Sequence, residues 1–378
     1  MPSRRAFTIL LVAIAVGTVI GIVVMWPGDV DAPVAEGLAA ETERAKVESV
    51  TYRACPEPQT GRCGEAEVRL ETGPEGGRPA TLPIGGGAVQ PEIAPGDEVR
   101  VTRSADPSLP GAVYTLADFE RRAPILWLAV AFALLVVVFG RLRGALSLLG
   151  LGISLVVILA FVVPAILDGS PPLAVAIFGS LAVMLITVSL AHGWSPKSLA
   201  AMLGTALSLA LVALLALGFT DLAHLTGLAS EEATLLLLGG ADVSLEGLLL
   251  AGIVIAALGV LDDVTVSQAS TVLALKGANP SLGFRELYTR ALQVGQDHVS
   301  ATVNTLVLAY VGASLPVLLI FSSGEIGLLD AVNTELIAKE IVGTLVGSIG
   351  LIAAVPITTG LAALLAQDPG ASPPAEAS

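Results

Sequence analysis

Asp262 and Asp263 stand in the stretch GVLDDVTVSQAST (259–271), directly after fifteen mostly apolar residues, LEGLLLAGIVIAALG. A second polar group follows in GQDHVSATVNTLVLAYVG (295–312), which holds Asp297, His298 and Asn304. A carboxylate at mid-membrane costs at least ~2.5–3.5 kcal/mol on insertion scales, so such groups usually face a cavity or a partner. Proton exchange and cation binding are the chemistries that these residue types suit. On a helix, Asp263, Ser267 and Ser270 share one face at i, i+4 and i+7, whereas Asp262 projects about 100° away and aligns with Thr265. Asp297, Ser300 and Asn304 share a face of the following helix, with His298, Thr302 and Thr305 beside it. One loop separates the two helices, so their polar faces are expected to meet antiparallel, gathering Asp262, Asp263, Asp297, His298 and Asn304. The bland alternative is that the carboxylates merely end a span and that Asn304 and the threonines make interhelical hydrogen bonds worth ~0.6 kcal/mol each.

Other chemistry finds little support, and neither an enzyme nor a cofactor is expected. There is no Walker A sequence, no dinucleotide glycine fingerprint and no His-Glu-x-x-His. The two cysteines, Cys55 and Cys63, lie together in a polar region and cannot complete a tetrahedral zinc site, while the three histidines lie elsewhere. If that region is outside the cytoplasm, a disulfide is the natural reading. The formal net charge of −14 argues against nucleic-acid binding.

The elements that must position these residues belong to a membrane protein. Only 14% of the residues are charged and the mean hydropathy is +0.82, against roughly 25% charge in a soluble domain. FTILLVAIAVGTVIGIVVMW, from Phe7 to Trp26, is long enough for an uncleaved anchor. Residues 27–122 alternate polar and apolar in VESVTYRAC, AEVRLETG and DEVRVTRS, between turn-like GPEGGRP, GGG and APGD. This pattern predicts a small β-barrel or sandwich. Apolar runs resume at 124–140, 145–167, 172–192, 199–220, 245–264, 300–321 and 341–365, giving about eight transmembrane helices with the anchor. The expected domains are therefore an anchor (1–26), a β-rich domain (27–122), a seven-helix membrane domain (123–366) and a disordered tail (367–378). Arg4, Arg5, Arg141, Arg143, Lys197, Lys276, Arg285 and Arg290 fall in short segments that should face the cytoplasm. Both termini are then expected inside a bacterial inner membrane, with the β-domain outside. Residues 231–244 include an apolar patch too short to span, suited to a re-entrant or surface position. Phe284, Leu287, Tyr288, Ala291 and Leu292 mark an amphipathic helix, placed either on the inner leaflet or beneath the bundle. G-x-x-x-G at Gly343 and Gly347, extended by Gly350, suggests close helix packing.

The segments LEGLLLAGIVIAALGVLDDVTVSQAST and NPSLGFRELYTRALQVGQDHVSATVNTLVLAYVGASLP resemble the YibE/F family of bacterial membrane proteins, over roughly residues 125–365. The matching positions are Gly259, Asp263, Ser267, Ser270, Asp297, Asn304, Thr305 and Tyr310. Asp262 stands where the family more often has an uncharged residue, which favours Asp263. The resemblance implies a permease-like protein acting on an unknown small solute or ion, with Asp263 and Asp297 as coupling carboxylates. The second expectation, of a different class, is an assembly or sensing module whose β-domain binds a protein or envelope component. The sequence does not specify an oligomeric state.

Overall fold

A computed structural model describes residues 4–28, 41–55, 62–85, 91–104, 113–229, 233, 235–236, 239–240, 242–324 and 327–367. The chain divides into two compact units, Met1–Ala32 with Phe139–Ser378, and Pro33–Val138.

The second unit holds five antiparallel strands: β1 (Thr42–Ala54), β2 (Arg62–Leu70), β3 (Pro79–Ile84), β4 (Glu98–Ser104) and β5 (Val113–Phe119). They form one curled sheet in the order β3-β2-β1-β4-β5, and the two edge strands approach each other. Period-two patterning sets its faces: Ala66, Val68 and Leu70 are buried, while Glu65, Glu67 and Arg69 between them are exposed. Val47, Leu82, Ile93, Val99, Val101 and Tyr114 join the same core. The register of β1 on β2 slips between Val47 and Ser49, and the APGD turn fills that bulge. Gly96 N–H donates to Val47 O at 2.8 Å, and Val47 N–H donates to Asp97 O at 2.9 Å. Gly96 has φ +100°, a conformation that favours glycine, and the Asp97 carboxylate accepts from Ala94 N–H at 2.8 Å. The expected disulfide joins Cys55 to Cys63.

The helices are α1 (Arg4–Val24), α2 (Arg122–Val157), α3 (Val163–Leu167), α4 (Pro172–His192), α5 (Pro196–Leu222), α6 (Leu245–Ala278), α7 (Phe284–Ala313), α8 (Leu315–Ser323), α9 (Leu328–Asn333) and α10 (Glu335–Leu365). Six helical stretches among the described residues are long and apolar enough to cross a membrane, against about eight apolar runs in the sequence. The difference has two causes. The runs at 124–140 and 145–167 join into one helical stretch, Arg122–Leu167, interrupted where Arg141 leaves helical geometry at φ 52°, ψ −132°. The run at 300–321 is split between α7 and α8, which bend by 61° and satisfy the length and hydropathy of a span only together. The second unit also keeps helical residues up to Val138, beyond the sheet.

Contacts fix the helix directions. Gly247 sits on Pro172 and Asp262 meets Thr187 at the same sequence separation, so α4 and α6 run parallel. Gln268 on Thr359 and Lys276 on Gln367 likewise make α6 and α10 parallel. Helix α5 runs against both, through Thr205–Thr265 and Gly204–Thr358. Helix α1 is part of this bundle: Phe7 and Leu11 enter the core, and a Cβ on Gly21 would come within 2.5 Å of the Phe178 ring. Trp26 stacks on Phe161 at 6.0 Å, and Gly28 N–H donates to the Asp168 carboxylate at 3.1 Å. On the same end of the bundle, Glu335 accepts from Thr226 N–H, Thr226 Oγ1 and Gly227 N–H at 2.6–2.7 Å, tying the turn after α5 to the start of α10. Gly350 is the glycine of α10 that close packing requires, because a Cβ there would collide with Val212; Gly343 and Gly347 make only ordinary contacts. Of residues 231–244, several lie outside the described set, as does the tail after Gln367.

Candidate functional site

Helix α6 is apolar along its first half because it must pack against α4, α5 and α10 together. Its inner faces are taken by Leu261, Val264, Thr265, Gln268 and Ala269. Asp262 and Asp263 therefore turn toward the remaining side, bounded by α4 and by the helical segment 146–162. There a cavity of about 920 Å³ opens, lined by Asp262, Asp263, Ser267 and Ser270 of α6. Across it stand Ser147 and Ser154, with Ser180, Thr187 and His192 of α4 and Lys197 of α5. Most of the remaining wall is aliphatic, for example Ile158, Val162, Ile255 and Leu258. The backbone between Ile158 and Val162 forms a π-helical turn, a distortion frequent at functional sites.

The two carboxylates are held differently. Asp262 is half-buried, and its Oδ2 accepts from Thr187 Oγ1 at 3.5 Å. Its Oδ1 is buried and has no hydrogen-bond partner. The Ser180 hydroxyl, on a residue 3% exposed, is also buried without a partner. Asp263 is exposed to the cavity. Among the described residues, no ion pair joins either carboxylate to a cation. Arg143 lies close enough to His192 and Lys197 to act on both electrostatically, so the α4–α5 end of the cavity is basic. The arrangement offers carboxylate oxygens and hydroxyls to a proton, a cation or the polar part of a small solute, beside an apolar wall.

The expected five-residue cluster does not assemble. Asp262, Asp263, Ser267 and Ser270 share the cavity, but Asp297, His298 and Asn304 do not line it and are exposed on α7. The reason lies in helix length. Helix α6 continues to Ala278 and α7 already starts at Phe284, so α7 lies against the bundle through Leu287, Ala291 and Gly295. Gln268 fastens it there: its Nε2 donates to Ala291 O and to Thr359 Oγ1, each at 2.7 Å. Phe284–Leu292 thus forms the first turns of a long packed helix, not a separate helix on the leaflet. Thr265, aligned with Asp262 in sequence, turns instead to α5 and bonds Thr205 at 2.7 Å. Sequence reading missed Ser180 and Thr187, whose isolated hydroxyls in an apolar run carry no periodic signal.

A family model described as YibE/F-like protein matches residues 128–368. The chain belongs to this family. The match of this YibE/F-like chain begins within α2, after the sheet, and contains all the cavity-lining residues together with α7 and α10. No curated protein and no solved structure matches the sequence.

Proposed function

We propose that this YibE/F-like chain is a permease that moves a small solute or ion across a bacterial inner membrane, coupled to a proton or cation held by Asp262 and Asp263, with no catalytic step and no cofactor. The observation that carries the reading is the cavity, whose volume falls within the range of about 300–1,000 Å³ common to small-molecule sites and which places both carboxylates in the middle of α6. A buried carboxylate oxygen without a donor is costly, and a proton or cation is its natural complement. The enclosed position gives Asp262 the leading role, with Asp263 facing the aqueous part of the path.

The proposed topology has eight crossings, counting the helices on either side of Arg141 separately and α7 with α8 as one. Helix directions support it: Arg143, Lys197, Lys276 and Arg285 gather at one end of the bundle, and Asp168, Glu246 and Glu335 at the other. The basic end is the cytoplasmic one, which puts both chain termini inside and the β-domain, closed as a small barrel, outside.

The test uses the purified chain in liposomes with a trapped pH-sensitive dye, challenged with monovalent and divalent cations and with amino acids. At least one addition is expected to drive proton movement that Asp262→Asn abolishes and Asp263→Asn weakens. Equal responses in wild type and in the double variant would overturn the reading. They would turn attention to the β-domain as a binding module for a protein or envelope component.

A further inference from the structure

The cavity beside α6 carries opposite charges at two depths, and the fold keeps them apart. Asp262 and Asp263 line it from the middle of α6, and Asp262 accepts from Thr187 of the parallel helix α4. His192 lines the same cavity five residues further along α4. At 1.5 Å per residue, that sets His192 about 7 Å closer to the basic end. Lys197 also lines the cavity, half-buried, and lies eight residues before Thr205, which meets Thr265. Because α5 runs against α6, the Lys197 backbone stands about 15 Å beyond that of Asp263 along the bundle. Arg143, which acts on both bases, precedes by seven residues Gly150, where a Cβ would lie 3.5 Å from Thr187. Three helices thus give the same order, with the carboxylates in the interior and the bases toward one end. Among the described residues, no ion pair joins the two sets. Between them, Ser267 and Ser270 continue the face of Asp263, and Ser147 stands across the cavity. Much of the wall is aliphatic, as at Val183, Val188 and Val266.

We propose that the cavity takes a short peptide with free termini, its ammonium group at Asp263 and its carboxylate at Lys197 and His192. The proposal rests on the transport reading in taking the cavity as the solute's site, and it adds the chemical class of that solute. Carboxylates at both ends would suit a polyamine, and bases at both ends a dicarboxylate. Opposite ends call for a zwitterion, since a charge in an apolar site needs a partner of the other sign. Distance then selects its length. An α-amino acid carries both charges on one carbon, too close together to reach both levels. An extended chain spans at most about 3.3–3.6 Å per residue, so two to four residues cover about 7–15 Å. Peptide groups between the termini need polar partners, and Ser147, Ser267 and Ser270 supply them. Ser270 already donates to Val266 O at 2.7 Å, which leaves its oxygen to accept from an N–H. Small side chains meet the aliphatic wall. Asp262, enclosed against Thr187, keeps the coupling proton.

The test is calorimetric titration of the purified full chain in phosphatidylcholine discs with trialanine, N-acetyl-trialanine, trialanine amide and alanine. Trialanine is expected to bind on the order of tenfold or more tighter than either capped form, since each cap removes a hydrogen-bonded charge. Alanine is expected to bind more weakly still. Lys197→Gln should bring trialanine down to the affinity of the amide while leaving the amide's own affinity unchanged. Asp263→Asn should do the same toward the N-acetyl peptide. Loss of structure would instead weaken every ligand together. In the wild-type chain, equal affinity for trialanine and both capped forms would overturn the proposal whatever the variants do. So would alanine binding as tightly as trialanine. The measurement involves no flux, which separates it from the transport reading. Trialanine binding without proton movement in liposomes would sink transport and keep the peptide site. Proton movement driven by an inorganic cation, with no binding of trialanine, would sink the peptide site alone.

Discussion

Tyr114 shows how a single side chain sets a pH limit. Its phenol is buried in the core of the sheet, with the hydroxyl 3.4 Å from Glu75 Oε2. Burial raises its pKa above the ordinary value, and the negative charges of Glu43 and Glu75 push it the same way. The neutral phenol is thus favoured by folding. Its contribution is complete below about pH 10, the unfolded value, and is lost as pH rises from there toward the folded value. Unfolding of the full chain, followed by tyrosine absorbance between pH 9 and 12, is expected to show the sheet weakening above about pH 10, and Tyr114→Phe to remove that dependence. At the same scale, the carboxylates of α6 were visible in the sequence because charge in an apolar run is rare. Which of the two is enclosed was not, because adjacent residues differ only in rotation about the axis, and only packing against Thr187 fixes that rotation.

Between elements, the sequence announced small residues but not which of them matter. Gly204 of α5 faces Thr358 of α10 so closely that a Cβ would overlap the threonine Oγ1. That hydroxyl is itself buried and unpartnered. Gly204→Ala should therefore destabilise the chain by about 1–3 kcal/mol, the usual penalty of overpacking. Thr358→Ala alone should be nearly neutral, since it removes an unsatisfied group as well as volume, and it should relieve most of the Gly204→Ala penalty. Thermal unfolding of the four proteins in detergent completes the cycle. By contrast, Gly343, Gly347 and Gly350 were expected to pack closely together, but of the three only Gly350 does, because spacing reports a shared face and not the distance to the helix opposite. Strands β1, β2 and β4 were legible from alternation and turn residues. Strand β3 escaped because Pro79 and Pro83 interrupt its pattern, while β5 was not picked out although it has the same seven residues as β4.

For the molecule as a whole, the apolar runs located the helical stretches in order but not their number, since two runs merge into one stretch and a third is split. What composition could not give is continuity: whether a run ends, kinks or bends depends on backbone geometry at one residue, such as Arg141 or Ser314. The orientation is open to direct measurement. A thiol at Trp194, exposed at the basic end between α4 and α5, should react with a membrane-impermeant maleimide only in inverted vesicles. A thiol at Asp221, near the far end of α5, should react only in right-side-out vesicles. The opposite pattern would reverse the assignment of inside and outside.

Helix α6 is a wall common to two rooms. One side carries Asp262 into the cavity, and a turn and a half further on Gln268 holds α7 and α10 through its amide. A rotation of α6 that followed loading of the cavity would strain those two 2.7 Å bonds and shift α7. Thermodynamic reciprocity then applies: whatever factor an occupied cavity imposes on the seating of α7, a change that loosens α7 imposes on the cavity's affinity.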